Sequence, residues 1–287
     1  MSLAWTLAER HPVLRAISSP RGFLPALYLA IVLLLAVFAP LVAPYAYDAQ
    51  NLTITNQPPS MSHWLGTDEF GRDVLSRVIY GARTSLTVSV TSIGASVLLG
   101  LCLGAVSGYL GGLFDRGVTA AVDLTWSFPE ILIALIFVAI IGPGLESTMF
   151  AIAIAYLAQF TRLTRGQIMA LKRETYIEAT VSLGARHGHI IFRHLVPNAL
   201  APVIVAGMLA TGDAIILEAT LGYFGLGAQP PTPSWGAMMS SGSAQIFIAP
   251  WIIVFPGLVV ALTVVAINLF GDALIRALDI RARLRDA

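Results

Sequence analysis

Of the 287 residues, 56% are hydrophobic and 11% charged, with a mean hydropathy of +0.78, whereas soluble domains carry about 25% charged residues. A formal net charge of +1 leaves no surplus of Lys and Arg to displace counterions from nucleic-acid phosphates. The single cysteine, Cys102, lies in an apolar run, which excludes a disulfide framework and a Cys-rich metal site and leaves packing as its role.

Crossing about 30 Å of hydrocarbon at about 1.5 Å per helical residue takes roughly 20 apolar residues. Six stretches qualify, at 24–43, 86–110, 117–141, 147–168, 199–221 and 250–275, and predict an all-α polytopic membrane protein with six transmembrane helices. The first stretch follows Arg10, Arg15 and Arg21 but exceeds the roughly 7–15 residues of a signal h-region and lacks an A-x-A site, so it reads as a retained anchor. With a cytoplasmic N-terminus, only Arg72, Arg77 and Arg83 of the 17 Lys and Arg fall in outer segments. That is the positive-inside pattern, and it puts both termini in the cytoplasm.

In chain order, residues 1–43 form the N-terminus and first span, and 44–85 an external loop. Within that loop Val74, Leu75, Val78, Ile79 and Ala82 share a helical face, which predicts an amphipathic helix lying at the outer interface. Asp73 precedes Arg77 by four, the favourable order for a helix pair. Residues 86–275 make a five-helix core, opening with Gly100, Gly104, Gly108 and Gly112 on one face, where small residues let helices approach closely. The external loop 222–249 holds Gly225, Gly227, Pro230, Pro231, Pro233 and Trp235 and reads as irregular, with Tyr223, Phe224, Trp235 and Trp251 suited to the headgroup layer. It serves either as a receiver of solute or as a connector. Residues 276–287 form a cytoplasmic tail.

The most polar inner segment, 172–197, reads KRETYIEATVSLGARHGHIIFRHLVP. Tyr176, Ala179 and Leu183 make one helical stripe, Gly184 is placed to end that helix, and a second helix runs from about Arg186 until Pro197 stops it. An amphipathic knob beneath the membrane needs a protein groove or the inner surface to cover it.

Here a resemblance enters. The run EATVSLG, with Glu178, Ala179 and Gly184, and then RHLVPN with Pro197, resembles the EAA loop of permease subunits of binding-protein-dependent ABC importers. Residues 65–86 and 218–236 resemble the dipeptide/oligopeptide/nickel branch of that family, most of all its C-type permease. The resemblance implies a type I ABC importer permease-like fold. It implies that Tyr176, Glu178, Ala179, Leu183, Gly184 and Pro197 form a coupling helix seated in an ATPase. It further implies a second homologous permease, two ATPase subunits that hold ATP and Mg, an extracytoplasmic solute-binding protein, surrounding membrane lipid, and a bacterial inner-membrane location. No cofactor is expected in this chain and no nucleic acid as partner. The chain departs from the pattern at Thr180, where a second alanine is usual.

There is no G-x-x-x-x-G-K-[ST] in the sequence, so ATP hydrolysis is assigned to other chains and this one is not expected to be an enzyme. The only lysine, Lys172, carries no assignment. His187, His189 and His194 lie beside Arg186 and Arg193 without an acidic or Cys partner and read as a solvated surface, not a metal site. Asp213 and Glu218 lie in the fifth span, where ionisable groups are costly and are functional candidates. Tyr47-Asp48 lies outside the spans and Asp213 lacks a full G-x-G-D, which argues against an intramembrane aspartyl protease. Glu218 matches a position of the family it resembles, and the resemblance implies a hydrogen bond from it to the glycine-rich loop, whereas Asp213 is open between pathway and structure. The reading is a permease that forms, with its partner, a path for peptides or related solutes such as nickel complexes. The alternative is a secondary transporter or channel that works without an ATPase.

Overall fold

The computed structural model describes residues 12–285, with side chains from 14 to 278. Arg10 and the side chains of Arg281, Arg283 and Arg285 lie outside that range. The elements are α1 (Pro12–Ser18), α2 (Pro20–Val37), α3 (Ala39–Val42), α4 (Val74–Leu110), α5 (Gly112–Trp126), α6 (Glu130–Ile141), α7 (Leu145–Leu171), α8 (Thr175–Ser182), α9 (His187–Tyr223), α10 (Trp235–Ala244) and α11 (Trp251–Arg285). Among the described residues β-pairing is confined to one bridge, Thr67 with Asp73. In hydrocarbon a backbone can pair only with itself, so an apolar chain of this kind folds as helices.

Four helices, α2, α4, α9 and α11, are long and apolar enough to cross a membrane, and α5 with α6 makes a fifth if the bent pair counts as one span. The expected third span is therefore not straight. It bends by 94° at residues 127–129, where Pro129 can neither donate a backbone bond nor sit comfortably behind a helical neighbour. Helix α7 has 27 residues, about 40 Å at the usual rise, but carries Glu146, Arg162 and Arg165.

The chain divides into two compact units, one of residues up to Ser89 with Gly142–Thr148 and Thr211–Ala287, the other of Val90–Ile141 and Met149–Ala210. In the first unit, Val32 and Ala36 of α2, Ala82 of α4, Ile215 of α9, Trp235 of α10 and Ile267 of α11 form a core. The interfacial helix expected within the loop 44–85 is instead the first turns of α4, continuous with the span. Its face of Val74, Val78, Ile79 and Ala82 is buried in protein, with Val74 and Val78 against Met238 and Ile252. Asp73 caps this helix, its carboxylate accepting from Ser76 N at 2.8 Å while also meeting His63 Nδ1 at 2.9 Å. It therefore does not pair with Arg77. Arg77 lies 3.5 Å from Asp68 and donates to Tyr47 O at 3.0 Å, and Asp68 meets Arg72 at 2.6 Å.

The loop 222–249 is not wholly irregular. Its prolines stop at Pro233, after which Ser234 caps α10 by accepting from Ala237 N. Trp235 does not sit among headgroups. It is 0% exposed, and its indole donates to Val78 O at 3.1 Å. An indole N–H needs a partner when buried, and the carbonyl supplies one.

In the second unit the glycine face of α4 lies on α7. A side chain at Gly100, Gly104 or Gly108 would come within 2.6, 2.5 and 2.9 Å of Phe160, Thr161 and Arg165 respectively. Gly112 does not join them, because α4 ends at Leu110 and Gly111 and Gly112 turn at positive φ. We expect Gly104→Val to lower stability in detergent by about 1–3 kcal/mol through overpacking. Gly94→Ala, at a helical position with nothing within 4 Å, should raise stability by roughly 0.5–1 kcal/mol; thermal unfolding of the two variants checks the contrast.

Candidate functional site

The chain leaves α7 through backbone bonds from Lys172, Arg173 and Glu174 to the carbonyls of Ile168, Ala170 and Leu171, then enters α8. One side chain of α8 points inward. Ile177 is 1% exposed and joins Ile168 of α7, Ala105 and Tyr109 of α4, and Ile190, Ile191 and Leu195 of α9 in one apolar cluster. The stripe expected from the sequence points the other way. Tyr176 is 41% and Leu183 88% exposed, and Glu178, Ala179 and Gly184 are also exposed. Three apolar side chains on the outside of a helix whose inward position is already filled make a surface built to be covered.

Gly184 ends α8 as its position in the sequence implies. Its φ is +78, a conformation that costs residues with a Cβ. Its N–H reaches Val181 O at 2.9 Å and that of Ala185 reaches Thr180 O at 3.3 Å, the paired bonds that satisfy a helix C-terminus.

Pro197 does not stop the second helix, contrary to the sequence expectation. Residues Ile190–Leu195 take a wider, π-helical turn in which Val196 N bonds Ile191 O, five residues back. Pro197 then stands in the first turn of the α-helical stretch Val196–Tyr223, where the missing N–H is tolerated, and the side chain of Asn198 donates to His194 O at 2.6 Å. The knob and the fifth span are thus one helix, α9.

Polar ties fix the base of this loop, and the sequence reading missed them. The hydroxyl of Tyr109 lies 2.8 Å from His187 Nδ1, so His187, though exposed to solvent as expected, is also held in a specific pair. The ammonium of Lys172 donates to Tyr109 O at 2.8 Å, satisfying a carbonyl in the last turn of α4, and lies 5.4 Å from the centre of the same ring. The sequence signal was the placement of a single lysine at the membrane edge. Two turns earlier on α7, Arg165 grips Asp115 with two bonds, of 2.5 and 2.7 Å. This clamp joins α5 to α7. His189 and His194 meet ring to ring at 5.2 Å.

The two acids of the fifth span separate. Glu218 is 0% exposed near the hydroxyls of Ser85 and Ser234, and neither of its carboxyl oxygens has a hydrogen-bond partner among the described residues. Ser85, on α4, accepts from Trp235 N at 3.2 Å and so ties α4 to the start of α10. Asp213 is exposed on α9 and is not part of this cluster.

A family model described as binding-protein-dependent transport system inner membrane component matches residues 100–284. Another, described as the N-terminal TM domain of oligopeptide transport permease C, matches residues 24–59. The dipeptide transport system permease protein DppC of Alkalihalophilus pseudofirmus is 43% identical over 86% of this chain and 81% of its own length. The glutathione transport system permease protein GsiD of Pectobacterium atrosepticum is 40% identical over 88% and 84%. The probable D,D-dipeptide transport system permease protein DdpC of Escherichia coli is 38% identical over 92% and 89%. Among solved structures, a chain of the MetNI methionine ABC transporter in an inward-facing crystal form superposes with a TM-score of 0.57 at 20% identity, over 71% of this chain and 96% of that one. At that identity the match speaks for the fold.

The division of α8 into an anchoring and a presenting face sets an expectation for stability. Ile177→Ala removes a fully enclosed side chain and should cost about 2–4 kcal/mol, whereas Leu183→Ala should change stability by less than about 0.5 kcal/mol. Protease susceptibility at the adjoining Arg173, followed together with thermal unfolding, reads both.

Proposed function

The chain belongs to the family of binding-protein-dependent transport system inner membrane components, the permeases of ABC importers, and from this we propose that its loop 172–197 is where an ATPase drives it and that its solute is a peptide or peptide-like molecule. The observation that carries the docking assignment is the orientation of α8, with Ile177 buried in the protein and Tyr176, Ala179 and Leu183 outside it. Force applied to the exposed stripe passes through Ile177 into α4, α7 and α9, because these helices meet in one close-packed cluster that cannot yield locally.

In this reading the chain supplies six spans, α7 among them, and pairs with a second, homologous permease so that the path lies between the two. Two cytoplasmic ATPases carry ATP and Mg, and a solute-binding protein delivers solute from outside. ATP-driven closure of the ATPases rocks the helices between inward-open and outward-open states. Both termini face the cytoplasm in this reading, which the distribution of Lys and Arg supports. The peptide assignment rests on the dipeptide and glutathione permeases to which the chain is similar.

A docking test should avoid Gly184, because any side chain at its positive φ strains the cap as well as filling the groove. Ala179→Trp changes only the exposed stripe. Purified gently from native membranes, the tagged wild-type chain is expected to bring an ATPase and a second permease, and Ala179→Trp to keep the permease and lose the ATPase. A wild type that brings no ATPase would sink the proposal. An Ala179→Trp variant that keeps the ATPase would move the docking surface elsewhere.

A further inference from the structure

Three arginines line one cavity where α1, α2 and α11 meet. Arg15 lies on α1, Arg21 in the first turn of α2 and Arg276 on α11, and together with Ser19, Pro20 and Ala273 they line a cavity of about 320 Å³. The cavity is a built feature. Ser19 breaks the chain between α1 and α2, its hydroxyl donating to Ala16 O at 2.7 Å and accepting from Gly22 N at 3.0 Å, and both helices pack on α11.

Among the described residues, none of the three guanidinium groups has a carboxylate within ion-pair distance. Asp272 stands one turn before Arg276 on α11 yet makes no pair with it. Arg21 and Arg276 are exposed and Arg15 partly so, so the three charges raise the positive potential at the cavity mouth where an anion from outside can reach it, and planar guanidinium forks are matched to phosphate oxygens.

We propose that this cavity holds the phosphate headgroup of an anionic phospholipid. The position selects a lipid over a soluble anion. Arg21 sits at the foot of the apolar run that begins at residue 24, where headgroup phosphates lie, and basic pockets between membrane helices are suited to anionic headgroups. Immediately beyond it Phe23, Leu24 and Leu27 are 52%, 67% and 46% exposed, an apolar flank along which acyl chains run once the phosphate is seated. The volume is at the lower end of small-molecule sites; it fits a headgroup and leaves the chains outside.

The test uses the purified transporter in nanodiscs of equal phosphatidylglycerol and phosphatidylcholine, with lipid retained on this chain counted by native mass spectrometry after release. Wild type is expected to retain phosphatidylglycerol in preference. At about 1 kcal/mol per basic residue near the membrane surface, Arg276→Gln should reduce retention about fivefold and the triple variant Arg15→Gln, Arg21→Gln, Arg276→Gln about a hundredfold. The triple lysine variant keeps the charges and should lose only a few-fold, which separates lost binding from lost folding. Equal retention of the two lipids by wild type, or undiminished phosphatidylglycerol on the triple glutamine variant, overturns the proposal. Displacement of phosphatidylglycerol by millimolar inorganic phosphate would assign the site to a soluble anion instead. Lipid is counted on this chain alone, so the result stands whether or not an ATPase co-purifies.

Discussion

Hydrocarbon offers a backbone no partner but itself, and nearly everything in this protein follows from that one constraint. Where the chain is apolar it is helical. Where it departs from α-helix, an alternative partner has been found for the displaced groups. The break at Pro129 falls between two helices and not inside one. The wide turn at Ile190–Leu195 satisfies its carbonyls five residues on. The end of α4 has Lys172 on one of its last carbonyls. Two of these departures, the wide turn and the lysine-capped end of α4, lie at the loop 172–197, where polar groups are at hand to take up the displaced backbone bonds.

The glycine face of α4 and the inward isoleucine of α8 together explain how that loop is held. Gly100, Gly104 and Gly108 bring α4 against the backbone of α7, and the closely matched pair then presents Ala105, Tyr109 and Ile168 as a surface on which Ile177 sits. The loop therefore hangs from two helices at once and from α9, its own continuation. A surface helix attached to only one neighbour would absorb a push by tilting; one seated on three has to move them.

Much of this could be read from the sequence. The apolar runs gave the membrane class, the glycine spacing gave a close helix pair, and Gly184 gave the end of α8, since each rests on a local rule of period or conformation. What could not be read depended on partners distant in the chain. Trp235 is suited by composition to headgroups, but its fate was decided by a carbonyl at Val78. The apolar face at 74–82 is equally suited to lipid or protein until Met238 and Ile252 are known to cover part of it. Pro197 looked like a stop because a proline rule assumes α-helical register, and the wide turn before it suspends that register. Ile177 has no distinguishing feature in the sequence beyond lying between the members of the exposed stripe.

Lys172 has a consequence of a different kind. It is the only lysine in the chain, so the protein carries one side-chain primary amine, and that amine lies at the root of the loop with its nitrogen on Tyr109 O. Amine-selective chemistry therefore marks a single side chain without any engineered substitution. The ammonium must leave the Tyr109 carbonyl and lose its proton before it can react, so its labelling rate reports how firmly the end of α4 and the root of the loop are joined. The protein carries, as a by-product of its composition, a chemical gauge where the end of α4 meets the root of the loop.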